Sequence, residues 1–229
     1  SAAFYGVGGA KISSQDGVAI RMDATGSVIC QTSITEQGQG SESLTAQIVG
    51  SVLGVPMDRV RVILGDTDNT PYGGGTWASR GAGIGGEAAL QAAKVLRGNI
   101  LEVAGAILQS APSELDIVNH QVVNASDGAV RIELSELARI VYFRPDTLPP
   151  GIQPELMATR HFVPREYPFA FTNGVQASWL EVDTETGFVK LLRHWVVEDC
   201  GTIINPQLVD EQIRGGVVQG LGAALFEEC

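Results

Sequence analysis

Two glutamines alternate with two glycines in the segment Gln37-Gly38-Gln39-Gly40, which directly precedes a predicted helix. Glycine allows backbone N–H groups to approach a ligand closely. The unpaired N–H groups at a helix N-terminus suit a phosphate, and the glutamine amides suit a polar heterocycle. The segment is a candidate ligand-binding loop. An ordinary glycine turn before a helix is the alternative, which the local sequence leaves open.

A second candidate is the polar stretch from Gly65 to Gly86, which follows a predicted strand. A loop of this length inside a compact domain is usually functional. Asp66 and Asp68 could bind a ribose hydroxyl or a base amine, while residues 73–79 provide hydroxyls and bare backbone. The two aspartates lack the following glycine and distal acidic residue of an EF-hand. A flexible surface loop is the competing interpretation.

The end of this stretch, residues 81–86, matches the pattern GxGxxG. A nicotinamide dinucleotide site requires that pattern directly after an apolar strand. Residues 75–80 are not an apolar strand sequence. An NAD-dependent dehydrogenase is therefore kept only as an alternative.

The third candidate is a predicted helix that begins at Pro206 and contains four glycines between residues 215 and 222. Each glycine costs about 1 kcal/mol relative to alanine in a helix interior, which indicates close approach of another backbone or of a ligand. Gln212 and Gln219 are seven residues apart and share one helix face. Tight packing on a sheet explains the glycines equally well, but it does not explain the glutamines.

The elements that must position these segments follow from hydrophobic periodicity. Alternating apolar residues predict strands, and apolar residues at 3- and 4-residue steps predict helices. The predicted elements are a hairpin over 17–34, a helix with Ser41 as its N-cap that ends at Gly54, a strand from Arg59 to Leu64, a helix from Glu87 to Leu108, strands from Gln121 to Ala125 and from Val130 to Glu133, a short helix capped by Ser135, a hairpin of Val175–Val182 and Phe188–Val197, and the helix from Pro206. Strands and helices mix without strict βαβ alternation, which predicts an α+β fold.

The charge balance of the 229 residues limits the possible partners. Fifteen basic and 26 acidic residues give a net charge of −11. Phosphate contacts require Lys and Arg, so a chain this acidic is a poor ligand for nucleic acid or for an anionic membrane surface. The longest weakly polar stretch, Gly215–Phe226, is shorter than the roughly 20 residues that a membrane span needs. We expect neither nucleic acid nor a membrane as a partner.

The three cysteines are far apart and form no Cys-x-x-Cys pair, and the three histidines lack metal-ligand spacing. Neither a zinc site nor an iron–sulfur site is predicted from such a pattern. The thiols are interpreted as reduced, and the N-terminal residues show no signal-peptide pattern. Both features predict a cytoplasmic location.

Taken together, the three candidate segments resemble one family, the large molybdenum subunit of the xanthine oxidase, aldehyde oxidoreductase and carbon monoxide dehydrogenase enzymes. The resemblance extends over nearly all 229 residues in order and spacing. It rests on Gln37-Gly38-Gln39-Gly40 with Gly54-Val55-Pro56, on Gly65-Asp66-Thr67-Asp68 with Pro71-Tyr72-Gly73, Gly75-Thr76 and Ser79-Arg80, and on Asn205-Pro206 with Gln212, Gly215-Gly216, Gln219-Gly220 and Glu227-Glu228.

The resemblance implies a two-lobed α+β domain that binds molybdopterin as its cytosine dinucleotide. It implies oxidation of an aldehyde or an N-heteroaromatic carbon with oxygen from water. Electrons would pass to [2Fe–2S] and FAD groups on partner subunits or domains, and the remainder of the large subunit would be a further partner. The pterin dithiolene holds the metal in this family, so no metal ligand is expected from the protein. A non-catalytic assembly chain of the same fold is the alternative.

The resemblance also implies site residues, and the six prolines between residues 144 and 170 predict a connection that divides the chain. Lobe one would cover 1–143, a proline-rich connection 144–170, and a second lobe with a pterin-contacting helix 171–229. The cofactor-binding residues would be Gln37, Gly38, Gln39 and Gly40 at the pterin and pyrophosphate, Asp66, Thr67, Asp68, Thr70, Thr76, Ser79 and Gly81 along the dinucleotide, and Gln212 at the pterin. The family's catalytic glutamate lies in a Gly-x-Gly-Glu segment that these 229 residues do not contain. No catalytic residue is expected here, and this chain alone is expected to be inactive.

Overall fold

A computed structural model describes residues 2–6, 15–165 and 169–228, with side chains from 15–165 and 173–228. The chain divides into two compact units. The larger is Val7–Tyr167, and the smaller combines Ser1–Gly6 with Pro168–Cys229. Four helices and ten strands are found among the described residues.

The strands are β1 (Ala2–Gly6), β2 (Asp16–Met22), β3 (Val28–Thr32), β4 (Val60–Ile63), β5 (Leu115–Val118), β6 (Gln121–Asn124), β7 (Val130–Glu133), β8 (Met157–Phe162), β9 (Phe169–Val182) and β10 (Val189–Asp199). The helices are α1 (Ser41–Leu53), α2 (Gly86–Leu108), α3 (Leu134–Phe143) and α4 (Pro206–Leu225). Helices combine with mixed and antiparallel sheets, so the predicted α+β class is confirmed.

The larger unit is built on a four-stranded sheet of order β4-β3-β2-β8. Strand β2 is antiparallel to both β3 and β8, whereas β3 and β4 are parallel. Parallel neighbours need a crossover connection, and α1 supplies it. A second sheet, of order β5-β6-β7, is antiparallel.

The core of the larger unit lies between the four-stranded sheet and helices α1 and α2. Leu96 and Ile100 of α2 are fully buried, as is Cys30 of β3. Burial raises the pKa of the Cys30 thiol to about 12, so this group stays neutral at physiological pH. The packed core fixes the positions of β3 and β4, from whose ends the candidate loops extend.

The smaller unit contains the antiparallel sheet β1-β9-β10 and helix α4. Pro206 is the first residue of α4, as predicted, because its missing N–H costs nothing at that position. The Asn205 side chain accepts a hydrogen bond of 3.1 Å from the Leu208 N–H and caps the helix. The β9–β10 hairpin is also confirmed.

Several local predictions differ from the structure. Strands β1, β5 and β8 were not predicted, and β8 lies within the stretch 144–170 that we interpreted as a connection. β8 pairs along β2, which a local pattern interrupted by prolines does not reveal. Ser135 is not a cap: α3 begins at Leu134, because Glu133 already takes the extended N-cap conformation. Among the described helices, none is long and apolar enough to cross a bilayer.

Candidate functional site

The two glycine-rich loops of the larger unit meet at a pair of threonines. The backbone N–H of Thr35 donates to Thr76 Oγ1 at 3.0 Å, and that hydroxyl donates to the Thr35 carbonyl at 2.6 Å. The Thr76 N–H in turn donates to Thr35 Oγ1 at 3.2 Å. This reciprocal set of bonds joins positions 41 residues apart, so the loop after β3 and the loop after β4 form one surface.

The side chains of Gln37 and Gln39 stabilise this contact between the loops. Gln37 Nε2 donates to the Thr76 carbonyl at 2.9 Å. Gln39 Nε2 donates to the Thr35 carbonyl at 3.0 Å and to Ser41 Oγ at 2.8 Å, while Gln39 Oε1 accepts the Gln37 N–H at 2.6 Å. The glutamine amides therefore fix the shape of the loop in which they lie.

Glu36, which is not among the predicted site residues, is a common hydrogen-bond acceptor for the backbone of the same loop. Its Oε1 accepts hydrogen bonds from the backbone N–H groups of Gly38 at 2.9 Å and Gly40 at 3.0 Å, and from Gln37 at 3.2 Å. Its Oε2 accepts from the Glu42 N–H at 3.2 Å, in the first turn of α1. Partial burial opposes ionisation, but these four backbone N–H groups hold the pKa of Glu36 below its usual value.

Helix α1 therefore begins differently from the prediction. Its N-cap is Gly40, in the left-handed conformation and with no side-chain cap of its own, while Ser41 is the first helical residue. The Glu36 carboxylate takes the place of a cap, because it accepts the N–H of the second helical residue. An acidic group is favourable there for electrostatic reasons as well.

A buried ion pair anchors the second loop to the start of β2. Arg80 and Asp16 are both 0% exposed, and Arg80 Nε and Nη2 donate to Asp16 Oδ2 at 3.1 and 3.0 Å. Nη2 also donates to the Gln15 carbonyl at 2.6 Å. The remaining nitrogen, Nη1, is buried without a hydrogen-bond acceptor among the described residues. The Trp77 ring covers the guanidinium, at 5.5 Å from its centroid.

Two residues between these anchors have unusual backbone conformations. Ala78 has a φ of 47° and Ser79 a φ of 55°, in the left-handed region that residues other than glycine rarely adopt. Such conformations persist when the surroundings fix the chain on both sides. Thr76 and Arg80 do so here, and they hold the Ser79 side chain exposed on the surface of the joined loops.

Residues 66–70 form a closed turn at the other end of the second loop. Asn69 Nδ2 donates to Asp66 Oδ2 at 2.7 Å and the Asp68 N–H donates to Oδ1 at 3.0 Å, which lowers the pKa of the Asp66 carboxyl. Thr70 Oγ1 donates to the Asp66 carbonyl at 2.7 Å. Gln31 Nε2 donates to the Asn69 carbonyl at 2.7 Å, so the turn is tied to the end of β3. Thr67 and Asp68 have exposed side chains.

The GxGxxG run does not form a Rossmann turn. Residues 75–80 contain no strand, and Gly81–Gly85 is a π-helical turn that continues directly into α2. A Cβ at Gly85 would overlap Ile34 Cγ2, so packing explains that glycine. The strand-to-helix context of a dinucleotide fingerprint is absent from this described segment.

The predicted site residues thus fall into two groups. The larger unit brings together the Gln37–Gly40 loop with Thr76, and Gly81 lies close behind, since a Cβ there would be 3.8 Å from Ser41 Oγ. Gln212 lies on α4, in the smaller unit, with an exposed side chain. The described residues contain no group of three or more His, Cys, Asp or Glu that could hold a metal ion.

Three residues that organise the site were missed from the sequence. Asp16 and Arg80 are separated by 64 residues, and no local sequence pattern predicts that they pair. Glu36 could have been predicted from the sequence, because the helix dipole favours an acidic residue beside a glycine-rich helix start.

Comparison with known proteins connects this architecture to a cofactor. The family model "Molybdopterin cofactor-binding domain" matches residues 1–229. This chain belongs to that family. It is 40% identical over 93% of its length to the nicotine 6-hydroxylase large subunit of Paenarthrobacter nicotinovorans. It is 32% identical, over 93% of its length, to the carbon monoxide dehydrogenase large chain of Hydrogenophaga pseudoflava. It covers 26% of each of these relatives, so it spans about a quarter of their length.

Among solved structures, quinoline 2-oxidoreductase from Pseudomonas putida 86 superposes on this molybdopterin-binding chain with a TM-score of 0.88. The two are 35% identical, and the match covers 97% of this chain and 29% of that one. The predicted relationship to the large molybdenum subunits is confirmed.

The glycine backbone of the joined loops leaves room for a molybdopterin ligand, but two of its N–H groups already have an acceptor. Apart from its neighbours in the chain, no heavy atom of the described residues lies within 4 Å of the position that a Cβ would take at Gly38, so the backbone there is open to a ligand. At Gly75 the nearest atom to such a Cβ is 3.9 Å away, on Thr35. Hydroxyl and amide donors surround this open backbone. The N–H groups of Gly38 and Gly40, however, are already bonded to Glu36.

Substitution of Thr76 by valine tests the joint between the loops. Valine has no hydroxyl, so the Thr35 N–H and carbonyl both lose a partner, and the expected cost is about 1–2 kcal/mol. Amide hydrogen exchange of residues 35–41 and 73–79 should become faster in this variant. Thr67→Val is the matched control, since Thr67 is exposed in the same loop. Equal exchange rates in the two variants would contradict a structural role for the Thr76 hydroxyl.

Proposed function

We propose that this domain binds molybdopterin, as its cytosine dinucleotide, within an oxidoreductase that hydroxylates a ring carbon of an N-heteroaromatic substrate with oxygen from water. The cofactor, when bound, supplies the redox chemistry at that carbon. The domain supplies binding and orientation. The observation that carries the proposal is the Thr35–Thr76 joint, which turns two polar loops into one continuous surface with open glycine backbone.

The names of the relatives favour this substrate class over the other possibilities. The relative at 40% identity is named a nicotine 6-hydroxylase and the solved structure at 35% identity a quinoline 2-oxidoreductase, and both substrates are N-heteroaromatic. The carbon monoxide dehydrogenase large chain is less similar, at 32% identity. An aldehyde remains the second substrate class to test.

The residues of this domain have distinct roles in the proposal. Gln37 and Gln39 shape the loop that contacts the pterin. Thr76 joins this loop to the second one, and Ser79 places a hydroxyl donor beside the dinucleotide. Neutral donors of this kind suit an anionic ligand on a chain whose net charge is −11. Gln212 contributes to pterin binding from α4. We assign no catalytic residue to these 229 residues.

We also propose the partner subunits of this domain and its location in the cell. Electrons would leave through [2Fe–2S] and FAD groups on partner subunits in the cytoplasm, and the remainder of the large subunit would complete the substrate pocket. The name of a carbon monoxide dehydrogenase large chain, and that of a subunit gamma in a 6-hydroxypseudooxynicotine dehydrogenase complex, describe members of multi-subunit enzymes.

The dinucleotide form is tested by nucleotide analysis of the protein purified from its native host with its accompanying subunits. Acid hydrolysis of a cytosine dinucleotide cofactor releases CMP, so CMP equimolar with molybdenum is the expected result. Molybdenum without any nucleotide would refute the dinucleotide form. Absence of molybdenum, together with thermal stabilisation by NAD, would refute the whole proposal in favour of a nicotinamide enzyme. Oxidation of quinoline and of an aldehyde by the same preparation then separates the two substrate classes.

A further inference from the structure

The loop between β3 and α1 contains a ready-made anion-binding nest. Gly38 and Gly40 both have positive φ values, 95° and 83°, which turn successive N–H groups toward one point. Concave arrangements of this kind bind anions, and the α1 N-terminus adds its own N–H groups and dipole. By its backbone geometry alone, the nest would accept a phosphate.

The nest is already filled, and its occupant is the residue directly before it. Four backbone N–H groups donate to the Glu36 carboxylate at 2.9–3.2 Å. Because these hydrogen bonds favour the charged form, the carboxylate is ionised at neutral pH. A phosphate approaching the same point would find the donors engaged and a negative charge in its path.

We propose that Glu36 is a positioning residue of this loop: its carboxylate fills the anion nest, fixes the loop, and excludes the phosphates of the cofactor from it. The inference rests on the proposed function in taking the ligand to be a molybdopterin. It assigns the Gln37–Gly40 loop to the neutral pterin rather than to the pyrophosphate. The pyrophosphate would then bind elsewhere on the joined surface.

Glu42 provides a matched control for the charge of Glu36. Its side chain is exposed in the first turn of the same helix, and only its backbone N–H takes part in the nest. Glu42→Gln therefore removes one negative charge from the α1 N-terminus and leaves the nest bonds intact. Glu36→Ala removes the occupant and leaves the nest empty. Glu36 is itself exposed, so the truncation creates no cavity in the core.

The test is amide hydrogen exchange of the peptide spanning residues 36–42, measured by mass spectrometry on the native protein with its subunits. Exchange in Glu36→Ala should be about tenfold faster than in the wild type, because four charge-assisted hydrogen bonds are lost. Exchange in Glu42→Gln should stay within about twofold of the wild type. Sodium formate, a small carboxylate, should restore slow exchange in Glu36→Ala, whereas sodium chloride at equal ionic strength should not.

Inorganic phosphate distinguishes a filled nest from an open one. It should slow exchange in Glu36→Ala and leave the wild type unchanged. Slower exchange of the wild-type peptide in phosphate would overturn the proposal, and so would unchanged exchange in Glu36→Ala or failure of formate to rescue it. These readouts do not depend on molybdenum content. A wild-type protein that shows them without molybdenum would refute the proposed function alone.

Discussion

Substitution of Arg80 by methionine is expected to lower the free energy of unfolding of the larger unit by about 3–5 kcal/mol. Asp16 and Arg80 are completely buried, so methionine would leave the Asp16 carboxylate charged and without its partner in a region of low dielectric constant. Among the described residues, Asp16 Oδ1 would keep the Ser33 hydroxyl at 2.8 Å and the Gly74 N–H at 3.3 Å as its donors. The loop that carries Thr76 and Ser79 would also lose its attachment through Arg80 to the start of β2.

The slowest-exchanging amides of α2 report this loss, because they open only when the whole unit unfolds. Arg139→Met is the matched control, since Arg139 is exposed on α3. This variant should change the free energy of opening of these amides by less than about 0.5 kcal/mol. Asp16→Asn combined with Arg80→Met should cost less than the sum of the single variants, because no uncompensated charge remains. Strict additivity would show that the ion pair is not the source of the effect.

Substitution of Gly73 by alanine is expected to destabilise the same unit by about 1–3 kcal/mol through overpacking. A Cβ at this position would overlap Oγ and Cβ of Ser33 and would lie 2.7 Å from Asp16 Oδ1. These atoms belong to short side chains at the ends of β2 and β3 and have little freedom to move. Gly73 does not have a positive φ, so the effect is steric rather than conformational.

Gly98→Ala provides a control of opposite sign. Gly98 lies inside α2, and apart from the backbone of that helix no atom of the described residues comes within 4 Å of the Cβ that alanine would add. Alanine should therefore stabilise the helix, by up to about 1 kcal/mol. The same α2 amides measure both variants, with slower exchange in Gly98→Ala and faster exchange in Gly73→Ala. Shifts in the same direction would contradict the assignment of Gly73 to close packing.

The sequence predicted those parts of the fold that depend on local periodicity. Helix α2 has apolar residues at regular helical steps over 23 residues, and its predicted bounds differ from the structure by one residue. The β2–β3 hairpin alternates apolar and polar residues around a short turn. Strand β8 was missed because its evidence is its pairing with β2, which lies more than a hundred residues earlier in the chain.

The sequence identified which segments form the candidate site, but it did not predict how those segments contact each other. Glycine, glutamine and threonine content identified both loops, because those residue types carry the chemistry locally. The Thr35–Thr76 joint and the Asp16–Arg80 pair span 41 and 64 residues, and only the folded sheet brings them together. The Gln37–Gly40 segment was expected to offer its N–H groups to a phosphate. The structure shows that Glu36 accepts those of Gln37, Gly38 and Gly40.

We expect these joined loops to hold a molybdenum cofactor. Metal analysis of the protein purified from its native host with its subunits tests the claim most directly, with Gly73→Ala and Gly98→Ala measured alongside the wild type. We expect molybdenum equimolar with the chain in the wild type and in Gly98→Ala, and a clear deficit in Gly73→Ala. A folded wild-type protein that contains no molybdenum would contradict this expectation.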